Sequence, residues 1–180
     1  MKTINNFFHI ALYGFFVFPS LYINAETIKT DPTNVVYKLY KDFAWEAVIA
    51  EPENARSVFG GSVAEQPKNI LEKYFDSNLS ILLFNDAECT NKGGEVCKLD
   101  FDPIFASQDT AAHSLTVRAL GSNIVAVEFL YPSNNTKVRL EYKLTETAKG
   151  WRISDIVYKS KNNASLINIL KDNPHLTDGL

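Results

Sequence analysis

The chain has 180 residues, a formal net charge of −3, a hydrophobic share of 46% and an aromatic share of 12%. Such a weakly acidic chain has no surplus of cations with which to displace the counterions of a nucleic acid. No run of Lys and Arg marks it for an anionic membrane surface, and two cysteines are too few for a disulfide scaffold.

The first 25 residues have the layout of a cleavable secretory signal: Lys2 gives a positive start, Phe7 to Leu21 is an apolar run without formal charge, and Ala25 is a small residue followed by Glu26. The apolar run falls short of the roughly 20 residues of a membrane span, and no cysteine follows the cut to take a lipid anchor. An uncleaved anchor helix is the alternative. Cleavage leaves a single domain, residues 26–180, with a loose C-terminal tail from Asn173. It also removes Lys2, taking the net charge from −3 to −4. The expected location is the periplasm, with no stable membrane insertion after cleavage.

Asp31 and Pro32 start a helix: the carboxylate caps free amides, and proline sits where its missing N–H costs nothing. Val35, Val36, Leu39, Tyr40, Phe43, Ala44, Ala47 and Val48 recur at three-and-four spacing, which predicts one long helix to about Ala50. Glu51 to Gln66, with Pro52 and Gly60-Gly61, reads as a loop. Pro67 opens a second helix with Ile70, Leu71, Tyr74 and Phe75 on its buried face. Asp76-Ser77 caps a third, which carries Leu79, Leu82 and Leu83 inward. Cys89 and Cys97 flank a polar, glycine-rich segment, Thr90 to Val96, that reads as a returning loop. In an oxidising compartment they pair most simply as a disulfide. A metal site would need more ligands than this neighbourhood holds.

No regular period fits Leu99 to Asp109. From Ser114 the period becomes two. Leu115, Val117 and Ala119 form one strand, and Val125, Val127, Phe129 and Tyr131 a second. Val138, Leu140, Tyr142 and Leu144 form a third, alternating with Lys137, Arg139, Glu141 and Lys143. Lys149-Gly150 turns into a fourth strand, Trp151 to Tyr158, and Ser165 begins a short last helix to Leu170. Helices followed by consecutive antiparallel strands are an α+β pattern, with the N-terminal helices packed on a curved sheet of about four strands. A sheet curving around the first helix would make a cone with an internal cavity.

The order helix, helix, helix, curved meander resembles the nuclear-transport-factor-two-like superfamily and, within it, a family of small exported bacterial proteins classed as a domain of unknown function. The residues that carry the resemblance are Lys73-Tyr74-Phe75, Leu79, the Leu99-Asp100-Phe101-Asp102-Pro103 motif, Gln108-Asp109 and Gly150-Trp151-Arg152-Ile153-Ser154-Asp155-Ile156. It covers about Val35 to Leu170. It implies the fold; the superfamily includes isomerases, hydrolases, toxin-immunity proteins and binding modules, so it does not fix the activity.

Asp100, Asp102 and Asp109, interleaved with Phe101, Ile104 and Phe105, form either an acidic partner-binding surface or a set of turn and helix caps ahead of Pro103. Calcium would need more oxygen ligands and a central glycine, and no metal or other cofactor is expected. Asp155 is a candidate cavity carboxylate, a base if its pKa is raised, with Arg118, Arg139 and Arg152 available by type. Its plainer role is pairing with a nearby Arg or Lys. His113 and His175 have no Ser or Cys partner at catalytic spacing, and no nucleophile elbow, phosphate loop or zinc-protease motif is present. Trp45 and Trp151 read as core. The expected function is therefore non-catalytic: a periplasmic binding protein, most sharply an immunity protein against a cell-wall-targeting toxin such as one delivered by a type VI secretion system. The alternative is a small-ligand binder or cavity enzyme, a hydrolase or isomerase of the same fold. The intact mass of the exported protein tests the processing: it should correspond to a chain starting at Glu26, lighter by the two thiol hydrogens until reductant is added. A mature form retaining Lys2, or one with free thiols, refutes it.

Overall fold

The computed structural model describes residues 31–44, 62–93 and 96–172. Helix α1 (Thr33–Phe43) begins as its sequence dictates. The Thr33 amide donates to Asp31 Oδ1 at 2.8 Å, and Pro32 already has helical backbone angles. The same bond holds the Asp31 carboxyl below its usual pKa. The expected continuation to Ala50, together with Trp45, lies outside the described residues, as do the signal segment, His175 and the tail. Within the expected loop, Val63–Glu65 forms a 3₁₀ turn capped by the Ser62 side chain.

Helix α2 (Lys68–Leu71) is a single turn, and it corrects one expectation. Tyr74 and Phe75 are buried but not helical. Phe75 bridges Ile153 as a short parallel pair, with Ile153 N–H donating to the Tyr74 carbonyl at 2.8 Å and Asp76 N–H to the Ile153 carbonyl at 2.9 Å. The sheet edge competes successfully for these backbone groups and ends the helix. Asp76 then caps α3 (Ser77–Gly93) through the Leu79 amide, 2.8 Å away. This helix is longer than expected: Cys89 and Thr90 to Gly93 are helical, so the returning chain begins only after Gly93. Leu79 and Leu83 are buried, and Leu82 packs against the core.

The sheet is an antiparallel meander in the order β1 (His113–Ala119), β2 (Ile124–Leu130), β3 (Lys137–Thr147), β4 (Gly150–Tyr158) and β5 (Ala164–Ser165). The two-residue β5 adds a fifth strand to the expected four, and the sheet is curved and unclosed. Helix α4 (Leu166–Lys171) follows directly, with Ser165 capping the Asn168 amide. Gly150, at φ 88°, lets the tight turn after Thr147 re-enter the sheet. At the free edge, the Tyr37 hydroxyl donates to the Val117 carbonyl at 3.2 Å, so α1 shields β1.

Val125, Val127, Phe129, Val138, Leu140, Tyr142, Leu144, Ile153, Ile156 and Tyr158 face one way and form the core with α1 and α3. Where a cavity was expected, aromatic side chains of the described residues pack against one another. Tyr40 meets Phe105 and Tyr142 edge-on, with centroids 6.5 and 6.2 Å apart, and Phe105 meets Phe129 at 6.1 Å. The Tyr40 hydroxyl donates its one proton to the Ile104 carbonyl at 2.7 Å, so at 2.8 Å it accepts from Tyr142. Burial, above all, drives both phenol pKa values far upward, keeping the pair neutral. Tyr40→Phe should therefore cost about 1–3 kcal/mol, because it leaves a buried hydroxyl and a buried carbonyl unpaired. Tyr142→Phe, which leaves the Ile104 bond intact, should cost about 0.5–1.5 kcal/mol. Urea unfolding of the two variants measures the difference; equal losses refute the assigned direction of donation.

Candidate functional site

Leu99 to Thr110 crosses the open end of the sheet without joining it. Lacking a ladder, its buried backbone groups take side chains as partners. Asp102, 8% exposed, accepts from the Ile104 amide at 2.9 Å and from the Ser62 hydroxyl at 2.7 Å, while its own amide donates to the Ser107 carbonyl at 2.9 Å. Ala106, at φ 57°, closes the turn by donating to the Asp102 carbonyl at 2.9 Å. The Tyr158 hydroxyl reaches the Pro103 carbonyl at 3.3 Å. Burial raises the Asp102 pKa, against the hydrogen bonds from Ser62, Ile104 and Phe105.

The sequence candidates thus separate. Asp102 is buried and caps the turn through the Ile104 amide. Asp100 and Asp109 are exposed. Phe101 is half-buried, edge-on to Tyr158 at 5.2 Å, with the Lys161 ammonium 4.3 Å from its ring centre.

Asp155 also departs from the cavity position. Lys143 pairs with Asp155 and Leu144 with Ile153, so Ser154 is the extra residue of a bulge. The bulge puts Ile153 in the core and Asp155 on the opposite face. There it accepts from Lys143 Nζ at 3.1 Å, the Ser165 hydroxyl at 2.9 and 3.0 Å, the Ile156 amide at 2.9 Å and the Ile167 amide at 3.2 Å. It is a cap tying β4, β5 and α4 together. Arg118 and Arg139 lie elsewhere on this face, and Arg152 donates to the Glu72 carbonyl. His113 is hydrogen-bonded to Ser114 and Asn135.

Cys89 and Cys97 lie at disulfide-bonding distance, with Cα atoms 6.1 Å apart. Beside them, the Asp86 carboxylate receives the Lys98 and Leu99 amides at 3.0 and 3.3 Å. Lys98 Nζ donates to the Leu170 carbonyl at 2.8 Å. The returning chain is thereby strapped across α3. Between the strap, the 3₁₀ turn and the 99–110 segment lies a surface cleft of about 570 Å³, floored by Asp102 and Phe101 and rimmed by Glu65, Asn91, Val96, Asp100 and Gln108. Sequence reading missed Glu65, Asp86 and Asn91, which come from two other segments; only the cysteine pair signalled that α3 and residue 97 meet. Among the described residues no group of three or more His, Cys, Asp or Glu is placed to hold a metal, and no helix is long and apolar enough to cross a membrane. The chain matches no known family model, curated protein or solved structure.

The Asp102 site makes a two-part prediction. Asp102→Ala strands the Ile104 amide and should cost about 1–3 kcal/mol. Asp102→Asn can still accept from Ile104 and can donate to Ser62, so it should fold near normally. Because the folded pKa is raised, the native state binds more protons than the unfolded state between the ordinary carboxylate value and the raised one. The wild type therefore loses stability relative to Asp102→Asn as pH rises through that window. Unfolding of both proteins across the acid range measures this, and a pH-independent difference refutes the buried charge.

Proposed function

We propose that this is a non-catalytic periplasmic binding protein, and in particular an immunity protein that neutralises a toxin acting on the cell wall. The observation that carries the reading is the filled interior: the aromatic side chains around Tyr40 occupy the space where a cavity enzyme of this shape would hold substrate. The polar groups left for recognition lie outside, on the strapped 97–110 segment. The likeness to small exported proteins of the nuclear-transport-factor-two-like superfamily belongs to this proposal and supplies the immunity role by analogy. A rigid scaffold presenting one braced, irregular surface suits the plugging of another protein's active site. Asp155, the alternative's catalytic carboxylate, is occupied by four donors. One observation favours small-ligand binding as a second reading: the cleft has the volume of a small-molecule site and presents Thr90, Asn91, Gln108 and Thr110.

The test pairs this chain with the product of the adjacent reading frame, exported to the periplasm. Co-expression should restore growth, and deleting residues 1–25 should abolish the rescue. Asp100→Lys with Asp109→Lys, both on exposed positions, should weaken binding about tenfold or more, with a marked salt dependence, while leaving the unfolding midpoint unchanged. Rescue by the signal-less chain, or full-strength binding by the double variant, overturns the proposal.

A further inference from the structure

Internal pairing leaves two opposite charge imbalances on this surface. On the sheet face away from the core, Lys137, Arg118 and Arg139 approach Glu128 at 2.9, 3.3 and 3.6 Å. Arg139 and Lys159 reach Glu141 at 2.6 and 3.2 Å, and Lys143 reaches Asp155 at 3.1 Å. Five cations thus share three carboxylates. Lys137 holds Glu128 below its usual pKa, with Arg118 assisting. Partial burial pushes Glu141 upward, yet Arg139 and Lys159 bring it below its usual value. All three acids are spoken for, while Lys137, Lys143 and Arg118 keep 62%, 53% and 51% of their side chains in solvent. Arg139 Nε is buried with no hydrogen-bond partner among the described residues. At the cleft the balance is reversed. Glu65 and Asp100 line the cleft, Asp109 lies between the lining residues Gln108 and Thr110, all three are exposed, and among the described residues none of them forms an ion pair.

We propose that the basic sheet face of one copy docks the acidic cleft rim of a second copy, head to tail. The interleaving of charges argues for a protein occupant. A uniform polyanion or an anionic bilayer would meet Glu128, Glu141 and Asp155 among the cations, whereas a folded surface can set discrete carboxylates between them. This chain itself carries such a surface, with Asp100 and Asp109 on the braced segment and Glu65 on the 3₁₀ turn, none of them ion-paired among the described residues. The two patches differ, so the contact is heterologous and extends into rings or open chains instead of stopping at a two-fold dimer. Exposed charges contribute chiefly to encounter rate, so the association is weak and strongly screened by salt. It engages Asp100 and Asp109, the residues also assigned to partner binding, so a bound partner and a bound copy exclude each other. The inference does not rest on the immunity reading, and its test uses this chain alone.

Sedimentation velocity of the exported protein at about 0.5 mM should show species larger than a monomer at about 20 mM salt and monomer alone at about 500 mM. Arg118→Gln with Lys137→Gln, and separately Asp100→Asn with Asp109→Asn, should each be monomeric at low salt, the first with a slightly lowered thermal midpoint because Glu128 loses two cations, the second with an unchanged one. An equimolar mixture of the two variants retains one intact rim and one intact face. It should form a dimer and nothing larger. A monomeric wild type at low salt, self-association that survives either double variant, or association strengthened by salt overturns the proposal. So does binding of a Glu-rich peptide to the face of a chain that stays monomeric, which would assign the face to a foreign partner.

Discussion

The buried turn at residues 102–107 has no strand beside it on which to place its amides and carbonyls. A buried backbone group without a partner costs about 1–3 kcal/mol, so the turn is possible only because side chains reach it. Asp102 takes an amide of its own turn, Tyr40 arrives from α1, and Tyr158 arrives from β4. Tyr142 in turn donates to Tyr40. One polar cluster inside an aromatic core thereby fixes the relative positions of α1, the sheet and the crossing segment, and Ser62 ties in the 3₁₀ turn. Apolar packing alone would tolerate slippage among these parts; hydrogen bonds to named carbonyls admit one arrangement.

The parts of the fold legible in the sequence are those where one local rule acts alone. The period-two pattern of Val138 to Leu144 located β3 because one face is buried and the other is wet. Asp31-Pro32, Asp76 and Ser165 marked helix starts because capping needs only a short side chain and a free amide. The failures occur where a distant segment competes. Tyr74 and Phe75 have helical spacing, yet Ile153 claims their backbone. Thr90 to Gly93 looked like a loop by composition, but α3 extends through them. Asp155, two residues after Ile153, would share its face in a regular strand, but the extra residue at Ser154 puts it on the other. No local pattern announces a bulge of that kind. The cleft was illegible for a simpler reason: it is built from three separate stretches, and only the cysteines linked two of them.

The strap is held by three interactions of different kinds. The cysteine pair, eight residues apart, closes a short loop, worth roughly 2–3 kcal/mol at most in the chain-entropy account. Asp86 receives two amides directly after it, and Lys98 reaches the end of α4. The polar bonds repeat the anchoring of the covalent one, so the shape of the cleft wall does not depend on a single cross-link.

The meander has a consequence for the order in which the molecule can assemble. Each strand pairs with the next in the chain, so the sheet grows from nearby contacts, which form quickly. Helix α1 completes its contacts late: the Tyr40 hydroxyl meets a partner 102 residues further along. Its apolar stripe, Val36, Leu39, Tyr40 and Phe43, is made before the sheet and is covered in stages, Phe43 by Tyr74, then Tyr40 by Phe105 and Tyr142. For the time it takes to make about a hundred residues, five to twenty seconds at ordinary synthesis rates, part of that stripe is an exposed sticky surface of an unfinished chain.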